Sequence, residues 1–115
     1  MDLTAFETKL RNQPDAIEFE ETMSVIEQLY DFEPGEFSNG DLINPAGQNS
    51  GSCKLFAFAK LHNFNVTETL ACFGSYYRDD VLANPDDDNH QNIRNFIKTG
   101  WEGIQFKTKV LSEKS

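Results

Sequence analysis

The sequence is poor in basic residues: ten lysines and arginines stand against nineteen aspartates and glutamates, which gives a formal net charge of −9. Binding to a nucleic-acid backbone draws its affinity from clustered Lys and Arg. This charge balance therefore argues against nucleic acid and anionic membrane as partners. Long hydrophobic runs are also lacking, and no apolar stretch approaches the roughly 20 residues that a membrane-spanning helix needs. Internal repeats and low-complexity segments are absent as well.

Cysteine is scarce, with Cys53 and Cys72 as its two occurrences and no CxxC spacing. Two such residues provide no disulfide framework, so we expect a reducing compartment. The first ten residues, MDLTAFETKL, show no basic leader followed by an apolar segment, which indicates that no secretory signal is present. We therefore expect a cytoplasmic bacterial protein.

The residues that are abundant point to an ordinary globular core. Hydrophobic residues make up 38% of the chain and phenylalanine occurs ten times, which predicts an aromatic-rich interior. A chain of 115 residues corresponds to one domain, residues 1–115. Such a length buries enough surface to be stable without disulfides or metals.

Helical periodicity predicts about five helices. A Thr4–Glu7 capping box opens the first, and Thr67 caps the fourth, whose apolar stripe continues to Val81. The second, third and fifth are expected at residues 15–30, 52–62 and 90–99. The third helix is apolar all round and therefore central.

Strand signals are fewer and lie in two places. Phe37 and Leu42 flank the turn signal Asn39-Gly40, which predicts a hairpin. The segment GIQFKTKVL, residues 103–111, alternates apolar and polar residues and predicts a final strand. The predicted fold class is therefore α+β, mainly helical, with a small antiparallel β element.

Four segments carry a resemblance to a known family: EFEETMSVIEQLYDFEP, NGDLINPAGQNSGSCKLFAFA, TLACFGSYYRDDVL and HQNIRNFIKTGWEGIQF. In this order they resemble the HopJ type III effector family over most of the chain. The family is named for a protein that a bacterial pathogen injects into plant cells, so the resemblance implies secretion into a host as one alternative. The acidic, helical N-terminus differs from the disordered, serine-rich start of injected effectors and favours a housekeeping protein. The resemblance supplies no catalytic residues.

The segment AGQNSGSCKLFAFAK, residues 46–60, leads a polar, glycine-bearing loop into the apolar third helix. Backbone N–H groups at a helix start attract anions. The spacing is not that of a P-loop, because three residues separate Gly47 from Gly51 and Lys54 comes late. We predict a binding or regulatory module whose ligand is a small anion or a protein segment. The residues expected to contact the ligand are Asn44, Gly47, Asn49, Ser50, Gly51, Ser52 and Lys54, with Tyr77, His90 and Arg94 as possible neighbours.

An alternative hypothesis makes the same loop the active site of a thiol-dependent hydrolase or transferase. The stretch GSCKLFAFA is similar to the start of the central helix in papain-like enzymes. Cys53 would be the nucleophile, His90 the base and Gln48 the oxyanion donor. The chain is far shorter than that fold, and Lys54 replaces the aromatic residue that follows the cysteine there. A third alternative is a scaffold in which the loop only caps the helix.

The acidic cluster Asp86–Asp88 with His90 raises the question of a metal site. A calcium loop needs Gly at its sixth position and Glu at its twelfth, whereas Gln91 and Ile97 occupy them. Aspartates that precede a helix satisfy its free N–H groups. We therefore expect neither a metal nor a cofactor.

Overall fold

The structure is a computed structural model that describes residues 2–114. Within that range it contains five α-helices, one π-helix, two short 3₁₀ turns and five strands. The helices are α1 (Leu3–Asn12), α2 (Phe19–Leu29), α3 (Ser50–Leu61), α4 (Val66–Ala71), the π-helix (Tyr76–Val81) and α5 (Gln91–Thr99). The 3₁₀ turns are Pro14–Ala16 and Gly100–Gly103. The strands are β1 (Tyr30–Phe32), β2 (Phe37–Asn39), β3 (Leu42–Asn44), β4 (Ile104–Phe106) and β5 (Leu111–Glu113).

Two small antiparallel sheets accompany the helices. β1 pairs with β5, and β2 lies between β3 and β4. Phe37 is opposite Asn44, and Asn39 is opposite Leu42, so the predicted hairpin forms with a two-residue turn. The predicted α+β fold class, mainly helical with a small antiparallel element, is confirmed.

Helix α3 lies at the centre of the core, as its apolar circumference predicts. Phe56 and Phe58 are both fully buried. The Phe56 ring contacts those of Phe73 and Phe96 at centroid distances of 5.5 and 4.9 Å. Trp101 closes the edge of this cluster, and its indole N–H donates to the Phe64 carbonyl at 2.9 Å. The helix that begins at the glycine-bearing loop is therefore held rigidly by aromatic packing.

The predicted fourth helix is interrupted, which is the largest departure from the expected element order. Its first part, α4, ends at Ala71, and the chain then turns through Gly74 at φ +64°. A Cβ atom at Gly74 would lie 2.6 Å from the backbone nitrogen of Phe19. The backbones of this turn and of the start of α2 therefore touch, and the chain resumes as a π-helix at Tyr76.

Several predicted boundaries were wrong because a different residue caps the helix. Asp2 rather than Thr4 caps α1, accepting from the Ala5 N–H at 2.8 Å. Asn65 rather than Thr67 forms the capping box of α4.

Two further elements are shorter than predicted. The second helix begins at Phe19 rather than residue 15, because residues 14–16 form a 3₁₀ turn and Glu18 and Glu21 make the capping box. The final predicted strand is split into β4 and β5, which join different sheets.

Candidate functional site

A pocket of about 530 Å³ opens where the first turns of α3 and α5 meet, and we call it the two-helix pocket. Its polar wall comes from the starts of these two helices, and its apolar wall comes from α2, β3, the turn after α4, the π-helix and α5. The polar wall consists of Asn49, Gly51, Ser52, His90, Gln91 and Asn92. The apolar wall consists of Phe19, Leu42, Phe73, Tyr76 and Ile93.

Both helices enter the pocket through a residue in the left-handed conformation. Asn49 precedes α3 at φ 52°, and His90 precedes α5 at φ 52°. Neither side chain caps its helix with a hydrogen bond. Positive φ is uncommon in residues other than glycine, and Asn63 is the third such residue within 2–114. Two strained helix starts therefore border one cavity, where side chains leave the first-turn N–H groups uncapped.

The π-helix fixes the orientation of His90. Its wider turn is marked by the hydrogen bond from the Leu82 N–H to the Tyr77 carbonyl, at 3.0 Å. Asp80 Oδ2 lies 3.0 Å from His90 Nε2, and the Tyr76 ring lies 5.3 Å from the imidazole. The π-helix thus presents two side chains to one histidine. The Asp80 carboxylate orients the imidazole ring through Nε2.

A network of asparagines holds the loop in place. The Asn92 side-chain carbonyl accepts from the amides of Asn39 and Asn44, each at 3.1 Å. Asn44 Oδ1 accepts in return from Asn92 at 3.0 Å and from Asn49 at 2.7 Å. Asn95 donates to the Asn39 backbone carbonyl at 3.0 Å. These bonds tie the hairpin, the glycine-bearing loop and α5 together.

The network changes the interpretation of two predicted ligand contacts. Asn44 is 1% exposed, and both atoms of its amide bond other asparagines. Asn49 lines the two-helix pocket, but its amide N–H is directed to Asn44. Asn44 therefore positions the loop from within, while Asn49 shapes the pocket.

The geometry does not support the thiol-nucleophile hypothesis. Cys53 is 2% exposed and its sulfur contacts the Gly35 carbonyl at 3.9 Å. Burial raises the pKa of the Cys53 thiol to about 11. His90 bonds Asp80 instead of the cysteine, and Gln48 is exposed in the loop. The three residues are not brought together, because Cys53 faces the core while its neighbour Ser52 lines the two-helix pocket.

Two predicted cationic contacts also lie elsewhere. Lys54 Nζ lies 3.7 Å from Glu27 and 5.0 Å from the centroid of the Phe32 ring. Arg94 donates to the backbone carbonyls of Asn84 and Asn89 at 2.9 and 2.6 Å, and so organises the loop before α5. Neither side chain lines the two-helix pocket.

The remaining predicted residues have mixed outcomes. Tyr77 packs against the core, and its neighbour Tyr76 lines the pocket in its place. Gly51 and Ser52 line the two-helix pocket, and a Cβ at Gly51 would be 2.9 Å from the Phe19 ring. Gly47 is exposed at φ +87°, and Ser50 is half-buried in the first turn of α3 without lining the pocket.

The electrostatic character of the pocket contrasts with that of the whole chain. Among the described residues, no Asp or Glu side chain lines it. The nearby Asp80 carboxylate bonds His90.

Within residues 2–114 no group of three or more His, Cys, Asp or Glu side chains is arranged to hold a metal ion. In the same range, no helix is both long and apolar enough to cross a membrane.

Sequence reasoning missed the apolar wall and Asp80. The rings of Phe19 and Phe73 are stacked with their centroids 6.3 Å apart, and both line the pocket. The π-helix has no simple sequence signature, so the pairing of Asp80 with His90 could not be inferred from spacing. The proximity of His90 to the loop was predicted, and the pocket contains both.

Comparisons with known proteins agree with this fold and add no activity. The sequence profile described as HopJ type III effector protein matches residues 3–111. A crystal structure described as that of "unknown function protein VPA0580" is 54% identical and covers 99% of this chain and 95% of its own, with a TM-score of 0.97. No curated protein matches the sequence. The chain therefore belongs to the HopJ type III effector protein family.

Proposed function

We propose that this protein is a binding module whose ligand is a small anion carrying an apolar group, held in the two-helix pocket. The observation that carries the proposal is the convergence of three rare backbone features on one cavity. Asn49 and His90 adopt the left-handed conformation, and a π-helix supplies Tyr76 to the wall of the cavity and Asp80 as the partner of His90. Such conformations cost about 1–3 kcal/mol each and cluster at functional sites.

The sign of the ligand charge follows from the polar wall. Each helix N-terminus carries the equivalent of roughly half a positive charge. The starts of α3 and α5 both border the cavity, and no carboxylate among the described residues lines it. His90, held by Asp80 at 3.0 Å, adds a hydrogen-bonding group. These features favour an anionic group beside Ser52 and His90.

The apolar wall limits the rest of the ligand. Phe19 contacts Phe73 in a stacked arrangement and Tyr76 edge-on, with ring centroids 6.3 and 5.3 Å apart. The volume of about 530 Å³ lies within the range of about 300–1,000 Å³ that small-molecule sites occupy. A flat apolar group of the ligand would therefore pack on these rings. The two free thiols, Cys53 and Cys72, support a reducing, cytoplasmic setting for this binding.

The decisive variant is Ser52→Asp. Residue 52 is the third residue of α3, where a carboxylate is favourable to the helix dipole. The variant should therefore fold at least as stably as the wild type. The same carboxylate would repel an anionic ligand and weaken its affinity by about tenfold or more.

The assay is thermal unfolding with phenyl phosphate, inorganic phosphate and chloride at equal ionic strength. Phenyl phosphate at ten times its Kd should raise the Tm by about 4 °C or more. Inorganic phosphate should raise it less, and chloride least. Ser52→Asp should reduce the shift produced by phenyl phosphate to about a third or less, without lowering the Tm of the unliganded protein.

Two controls separate local from general charge effects. Thr67→Asp adds the same charge to the first turn of α4, away from the pocket, and Lys54→Ala removes a cation that binds Glu27 instead. Both should retain the response to phenyl phosphate. An unchanged response in Ser52→Asp, or no response of the wild type to either phosphate, would contradict the proposed function.

A further inference from the structure

A second concavity lies at the opposite end of α3, between its last turn and the segment that joins β4 to β5. It has a volume of about 220 Å³ and an apolar lining that includes Ala57, Phe106 and Val110. Leu61 forms one side and is 51% exposed. Since α3 has twelve residues, its two ends lie about 17 Å apart at 1.5 Å of rise per residue.

Lysines flank this concavity, which we call the lysine-rimmed groove. Lys60 and Lys109 both line it and are exposed. Within residues 2–114, neither forms a salt bridge, whereas neighbouring Lys107 lies 2.9 Å from Glu36. The Lys60 ammonium instead lies 5.8 Å from the centroid of the Phe106 ring.

The unpaired lysines are informative because acids are in excess. The chain has nineteen Asp and Glu for ten Lys and Arg, so carboxylates are abundant. A cation is favourable in the last turn of a helix, so the helix dipole alone explains the position of Lys60 and no ligand is needed to account for it. Lys109 lies outside any helix, and this explanation does not apply to it. Both lysines also border apolar surface that includes the exposed Leu61.

We infer that the lysine-rimmed groove binds an acidic segment of a partner protein that inserts a bulky apolar side chain. The volume of about 220 Å³ is below the range of about 300–1,000 Å³ typical of small-molecule sites, and it suits one or two side chains. Carboxylates on either side of the inserted residue would pair with Lys60 and Lys109. Charge complementarity of this kind selects partners and accelerates their association.

The probe is a short fluorescent peptide in which one leucine and one phenylalanine alternate with aspartates. Wild-type protein should bind it with an affinity that falls as salt rises, because the lysines are exposed. The double variant Lys60→Glu, Lys109→Glu should bind about tenfold more weakly or worse. Lys98→Glu is the matched control, since Lys98 is also exposed but lies on α5 outside the groove.

Amide chemical shifts give a readout that folding defects would not imitate. Peptide binding should perturb residues around 57–61 and 106–111 and leave the starts of α3 and α5 unchanged. A peptide of the same apolar residues with lysines in place of aspartates should not bind. No binding at millimolar peptide, equal loss in Lys98→Glu, or shifts confined to other surfaces would overturn the inference. So would peptide-free self-association that the double variant abolishes, because a second copy would then occupy the groove.

Discussion

The reactivity of Cys53 distinguishes the buried thiol of the structure from the nucleophile that its position at a helix start suggests. Burial raises the pKa of Cys53 from an ordinary 9.0 to about 11. At pH 8 a thiol of pKa 9.0 is about one-tenth thiolate, whereas one of pKa 11 is about one-thousandth thiolate. Alkylation of the folded protein should therefore be about 100-fold slower than that of an unhindered cysteine.

Steric protection adds to this electrostatic effect, since Cys53 is 2% exposed. The assay is iodoacetamide labelling of native and guanidinium-unfolded protein, with mass spectrometry of peptides to assign each label. Cys72 is the internal control, because burial raises its pKa to about 12 and its labelling should be slower still. The rate at Cys53 should rise about tenfold per pH unit between pH 7 and 10, because the folded pKa lies above this interval.

One result would refute the argument. If native Cys53 were labelled at neutral pH as fast as in the unfolded chain, the thiol would be neither buried nor protonated as the structure requires. The thiol-dependent hydrolase would then return as a hypothesis, with its base still to be found. Labelling that appears only on unfolding would remove it.

Two further predictions concern the framework of the two-helix pocket. Asn92→Ala should lower the free energy of unfolding by about 1–3 kcal/mol in urea titrations, because it leaves the buried side-chain N–H group of Asn44 without an acceptor; a loss below about 0.5 kcal/mol would show that the network does not hold the loop. Gly74→Ala should cost more than Gly47→Ala in the same assay. Both glycines have positive φ, but only at position 74 would the Cβ meet backbone atoms, at 2.6 Å from Phe19 N; equal losses would contradict the close approach.

The fold was largely predictable because its determinants are local. The middle of α3, residues 55–59, is apolar and buried on every side, and the Asn39-Gly40 signal does lead to a hairpin. The break at Gly74 was not predictable, because it arises from contact with the start of α2, about 55 residues earlier in the chain. The periodic apolar residues from Leu70 to Val81 do not show that the chain must turn at Gly74, where it passes the backbone at the start of α2.

The site was predictable only in outline. A polar loop before a buried helix identifies the start of α3 as a candidate, and His90 lines the same pocket as residues of that loop. Which side chains enter the cavity depends on the rotation of α3, so Ser52 lines the pocket while Cys53 and Lys54 do not. Arg94 lies outside the pocket, because its guanidinium binds backbone carbonyls whose position the sequence alone does not show.

The core is packed from aromatic rings, whereas the pocket is bordered by a network of buried asparagines. This difference argues that the pocket is maintained for its shape. The interior around Phe56 is packed from aromatic rings. A buried polar network contributes little net stability compared with apolar residues of the same volume, yet it fixes geometry closely. Asn39, Asn44 and Asn92 nevertheless occupy buried positions beside the two-helix pocket, and Asn39 Oδ1 lacks a partner within residues 2–114. Stability alone does not explain these asparagines. Their role in positioning the two strained helix starts explains them, since each of the three bonds a residue of α5 or β3, and both elements border the pocket.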